Sequence, residues 1–110
     1  MIITATNVYI RFEDNTVKQV LLNNNIGDGE GITTAQALAA NIKSMFTGNT
    51  SITSFNELKY FKDETSYNFE GCTSLESIDM TGKGGSTRGC TNLTNWHGGT
   101  KPNGYLLIDS

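Results

Sequence analysis

The chain has no apolar run approaching the roughly 18 residues of a membrane-spanning helix, which excludes a helical span. Its 110 residues carry only 8 Lys and Arg, scattered along the sequence, against 11 Asp and Glu, a net charge of −3. Binding duplex nucleic acid takes clustered cations to neutralise phosphates, so nucleic acid is not an expected partner. The first stretch, MIITATNVYIRFED, lacks a basic segment followed by an apolar one. No signal peptide is read there, and the chain is not expected to enter the general secretion route by itself. Hydrophobic residues make up only 36%, with 12 Gly. This leaves a modest core and favours short strands joined by many turns. The length allows one domain or two very small lobes.

What the sequence does have is a phrase repeated three times. GNTSITSF starts at Gly48, GCTSLESI at Gly71 and GCTNLTNW at Gly89, at intervals of 23 and 18 residues. Each copy reads Gly, small or Cys, Thr, Ser or Asn, aliphatic, polar, Ser or Asn, apolar. A period in the twenties is the mark of stacked repeats, each burying its apolar side against its neighbour. Leu75, Ile78 and Met80 have the Leu-x-x-Leu-x-Leu spacing of a leucine-rich-repeat strand, with Ser77 and Asp79 pointing outward. Ile52, Phe55, Leu58 and Phe61 face inward from the first copy, Leu93 and Trp96 from the third. Cys72 and Cys90 occupy one repeat position and are expected to stack as buried free thiols rather than as a disulfide.

Before the repeats, residues 2–12 alternate in polarity and predict a strand. Asp14 is placed as the N-cap of a short helix with Val17, Val20 and Leu21 on one face. Asn- and Gly-rich residues 23–31 form a loop. Thr33 and Gln36 make a capping box for a helix running to Phe46, with Leu38, Ile42 and Met45 on its apolar face. TGKGGSTR, residues 81–88, is expected to be a bare loop. Pro102-Asn103-Gly104 reads as a turn and Tyr105–Ile108 as a closing strand.

The chemistry that is missing is as informative. An EF-hand loop needs a bidentate Glu at its twelfth position. With Gly29 at position six, Ala35 falls there; with Ile32 at position eight, Gln36 does. Asp28 and Glu30 remain as weak metal candidates, and no cofactor is expected. In TGKGGST the Lys precedes Gly84 instead of a hydroxyl residue, so it is no phosphate loop. The single histidine, His97, has no nucleophile beside it, and its expected neighbour is Asp79 on the adjacent strand. Asn49-Thr50-Ser51 and Asn92-Leu93-Thr94 match glycosylation acceptors, as turn-rich polar repeats do by composition. No catalytic set converges, and an enzyme is not expected. The expected functional surface is two columns on the outward strand face: Ser54, Ser77, Asn95, and Asn56, Asp79, His97.

ITSFNELKYF (52–61), FEGCTSLESI (69–78) and RGCTNL (88–93) resemble the BspA-like leucine-rich repeats of bacterial surface proteins. FEDNTVKQVLLNN and GDGEGITTAQALA resemble the dockerin-like segment that often precedes them. The resemblance spans roughly residues 10–96 and implies adhesion or protein–protein contact. Unlike such proteins, this sequence shows no signal and has only about three short copies. The expectation is therefore an α+β fold, a short leucine-rich-repeat-like β-solenoid of about three irregular repeats with an N-terminal strand and two capping helices. Residues 1–47 would form the cap, and 48–110 the stack with its closing strand. The expected role is a non-enzymatic virion component, a phage decoration or attachment subunit contacting other subunits, a receptor or a glycan, with homo-oligomers possible. The alternatives are a fragment of a secreted bacterial cell-surface adhesin and a calcium-stabilised binding module.

Overall fold

Two short helices lead into the repeats. The computed structural model describes residues 9–97. Helix α1 spans Asn15–Asn23 and α2 spans Thr34–Ala39. Strands β1 (Ser54–Phe55), β3 (Ser77–Asp79) and β5 (Asn95–His97) form one parallel sheet in the order β1-β3-β5. Strands β2 (Tyr67–Asn68) and β4 (Gly85–Ser86) form a second parallel sheet. A 3-10 turn at Leu58–Tyr60 follows β1.

The helix starts follow from local chemistry. Asp14 caps α1 by accepting the Thr16 N–H at 2.8 Å. In the Thr33–Gln36 box, Thr33 Oγ1 accepts the Gln36 N–H at 3.1 Å and Gln36 Oε1 accepts the Thr33 N–H at 2.9 Å. Each arrangement satisfies amides that the first helical turn leaves free.

The repeats stack in register. Ser54 pairs with Ser77 and Ser77 with Asn95; Phe55, Ile78 and Trp96 form the next column. The opening glycines, Gly48, Gly71 and Gly89, share positive φ values of 73°, 80° and 85°. They also lie against one another: a Cβ on Gly89 would stand 3.3 Å from the Gly71 nitrogen. Only glycine combines that backbone with so close an approach. Cys72 Sγ donates to the Phe46 carbonyl at 3.0 Å and Cys90 Sγ to the Phe69 carbonyl at 3.1 Å, so each thiol reaches back toward the preceding copy. Both are free and buried.

Four expectations need correction. The β-solenoid is not what forms. The fold is a small α+β structure with two helices and parallel strands in two small sheets, and no closed or solenoid sheet occurs among the described residues. The unequal intervals of 23 and 18 residues explain why. The first connection holds a 3-10 turn and β2, while the shorter second holds only β4, so the rungs are not equivalent. Within residues 9–12 no strand is present. Tyr9 makes one isolated antiparallel bridge to Thr33, and Ile10 N–H donates to the Ile32 carbonyl at 2.9 Å. Residues 2–8 and the predicted turn and strand at 102–108 lie outside the described residues.

The third correction concerns α2, which stops at Ala39 instead of running to Phe46, and which leaves Leu38 60% exposed. Carbonyls beyond it serve the repeats instead. Lys43 accepts the Asn68 N–H at 2.7 Å, and Phe46 accepts Cys72. Tertiary partners outcompete the helical pattern there. Finally, residues 81–88 are not a bare loop, since Gly85 and Ser86 pair with Tyr67 and Asn68.

The core is one continuous cluster from Ile10 to Leu93. At its centre Phe55 meets the rings of Phe12, Phe46, Phe61 and Phe69 at centroid distances of 6.5, 5.2, 5.8 and 5.6 Å, all edge-to-face. Edge-to-face contact places each ring's positive edge on its neighbour's negative face.

Candidate interaction site

Alternation along a strand puts Phe55, Ile78 and Trp96 into the core side and their neighbours on the other face. Ser54 and Ser77 flank the buried column as half-buried residues, and Asn95 is exposed. Their side chains join across strands. Asn95 Nδ2 donates to Ser77 Oγ at 3.3 Å, and Ser77 Oγ donates to Asn56 Oδ1 at 2.9 Å. Asn56 Nδ2 and Ser54 Oγ both donate to Glu13 Oε1, at 2.8 and 2.7 Å. These bonds hold the exposed Glu13 carboxyl below its ordinary value. Four of the six predicted face residues are thus brought into one polar ladder, with Glu13 as its end.

Asp79 and His97 sit side by side in the register of β3 and β5. The expected cross-strand pair is loose. Asp79 Oδ1 accepts the Thr81 N–H at 3.0 Å and the Thr81 hydroxyl at 2.6 Å. Burial pushes the Asp79 carboxyl up, but Thr81 outweighs it, and the nearby His97 adds to the lowering.

Asp28 is committed elsewhere. Its Oδ1 accepts the N–H groups of Glu30 and Gly31, both at 3.0 Å, and its other oxygen accepts the Tyr9 hydroxyl. Tyr9 first, then these amides, hold the carboxyl below its ordinary value. Glu30 contributes its amide to this turn. Among the described residues no group of three or more His, Cys, Asp and Glu side chains could hold a metal ion. No helix there is long and apolar enough to cross a membrane.

The remaining candidates have structural partners. Lys83 of the glycine-rich stretch is 4% exposed at its side chain and contacts Asp63 Oδ1 at 2.8 Å. Asn49 Oδ1 accepts the amides of Ser51 and Ile52, and Asn92 Nδ2 donates to the Thr73 carbonyl. Trp96 is half-buried against the core. The Cys72 thiol is pushed up by its neighbour Cys90 and by burial, which keeps it protonated.

A second feature was not legible in the sequence. A cleft of about 410 Å³ opens beside the ladder, lined by residues that include Tyr9, Arg11, Glu13, Glu57, Lys59 and Tyr60. Glu57 is only 5% exposed. Its Oε2 accepts the Glu13 N–H at 3.1 Å, while its Oε1 is buried without a hydrogen-bond partner. Burial, and then the Glu13 charge, raise its carboxyl above the ordinary value. The only sequence hint was a carboxylate wedged between the apolar positions Phe55 and Leu58.

The chain matches no family model, no curated protein and no solved structure with which it was compared.

Proposed function

We propose that the protein is a non-enzymatic contact subunit that uses the outer face of the β1-β3-β5 sheet to bind a protein or glycan surface. The supporting observation is the polar ladder from Glu13 through Ser54, Asn56 and Ser77 to Asn95. Such a row, fixed by its own hydrogen bonds on short parallel strands, meets a partner with little side-chain entropy left to lose. Asp79 and His97 extend it at one edge. Its setting, following the resemblance, is a phage particle, with a bacterial cell surface as the alternative. The role needs no cofactor.

The test is a paired substitution. Immobilised protein is expected to retain intact bacterial cells or purified phage shells, and D79R/N95R is expected to cut retention about tenfold or more, as removal of interface anchors does. Equal retention by parent and variant, with matching circular dichroism, sinks the reading.

A further inference from the structure

We propose that the cleft beside the ladder is a binding site for a neutral sugar ring. This deepens the contact role just described and rests on it, adding an adjoining cleft that shares Glu13 and Asn56 with the ladder. The lining decides the ligand class. Arg11 and Lys59 bring positive charge, Glu13 and Glu57 carboxyl groups, and the two signs offset one another. A strongly anionic ligand meets the carboxyls, and a strongly cationic one meets Arg11 and Lys59. A polyhydroxylated neutral molecule can use both, because each hydroxyl donates and accepts.

Two further observations agree. Tyr9 and Tyr60 line the same cleft at 43% and 37% exposure, as large for surface aromatics as any among the described residues. Aromatic faces suit the apolar C–H faces of a pyranose. Glu57 lies on the lining with Oε1 unpartnered, and a buried polar atom left so is costly. Turning the Glu57 side chain toward the cleft would bring Oε1 to a ligand hydroxyl, which supplies the missing donor. Lys59 Nζ stands 5.3 Å from the Tyr60 ring centroid and would swing aside to expose it. The volume, about 410 Å³, is within the range of small-ligand sites.

The experiment is a titration of isotope-labelled protein, followed by amide chemical shifts. The neutral probes are maltose, cellobiose, lactose and chitobiose; sialyllactose and spermidine are the charged controls. At least one neutral disaccharide is expected to shift the amides of residues 9–13 and 56–60. Glu57→Gln and Tyr60→Ala are each expected to weaken that response about tenfold. Tyr60 is partly exposed, so its variant keeps the test valid should Glu57→Gln fail to fold. The D79R/N95R variant must leave the sugar response intact, which separates this site from the sheet face. Response to none of the neutral sugars, or a response only to sialyllactose or spermidine, overturns the proposal.

Discussion

Asp14 does two tasks with one carboxylate. Oδ1 caps α1 through Thr16, and Oδ2 accepts the Thr53 N–H and hydroxyl at 2.6 and 3.1 Å, tying the helix start to the first repeat. Burial pulls its carboxyl up, but the Thr53 and Thr16 donors outweigh it and hold it below 3.8. The folded protein therefore binds fewer protons than the unfolded chain in that interval. The stability Asp14 contributes is complete above 3.8 and is lost as pH falls through the folded value. Glu57 has the opposite sign. Its folded value lies above 4.5, so its contribution weakens as pH rises from there. Asp14→Ala removes a cap and orphans the Thr53 donors, and is expected to cost about 2 kcal/mol at neutral pH. Urea unfolding followed across acidic pH should show a flatter acid limb in the variant. An unchanged limb would place the acid sensitivity in other carboxylates.

Among the elements, the β2–β4 pair has the least tolerance. A Cβ on Gly85 would stand 2.0 Å from the Tyr67 carbonyl oxygen and 2.9 Å from the Met80 methyl. The first obstacle is backbone, which cannot swing away. Gly85→Ala is expected to cost about 2 kcal/mol or more and to speed hydrogen exchange at the Tyr67 and Phe69 amides, which donate to Gly84 and Ser86. Gly29 provides the control. Its φ is +93° but nothing lies within 4 Å of its added Cβ, so Gly29→Ala should cost only the backbone strain, about 1 kcal/mol. Equal losses at the two sites would mean that the close approach to Tyr67 is relieved by movement. The element boundaries show where sequence patterns fall short. The capping box at Thr33 is a local interaction and was readable. The stop at Ala39 was not, because it depends on Asn68 and Cys72, more than twenty residues away, claiming the carbonyls of Lys43 and Phe46.

For the whole molecule, Phe55 is the link. Its ring touches Phe12 before the first helix, Phe46 before the first repeat, and Phe61 and Phe69 in the connection to the second. Phe55→Ala is expected to lower stability by about 3–5 kcal/mol. The loss should appear in one transition seen alike by helical circular dichroism and by fluorescence of Trp96, the sole tryptophan. Separate transitions would show that the helices and the repeats unfold independently.

The sequence by itself determined what is local or periodic. It marked the caps at Asp14 and Thr33, the glycine that opens each copy, the apolar column through Phe55 and Ile78, and the outward positions that become the ladder. These follow from spacing along the chain, which strand pleating and helix capping convert directly into geometry. Only the tertiary structure decided how far the repeats extend into sheets, where α2 ends, and that Glu57 lies buried beside Glu13 in a cleft. Those outcomes depend on partners distant in the chain. Backbone groups of Lys43, Gly48, Gly84 and Ser86 are satisfied across repeats, and unequal repeat lengths decide which of them can meet. A row of residues on one face is written in the sequence, but a pocket between elements exists only once the chain has closed around it.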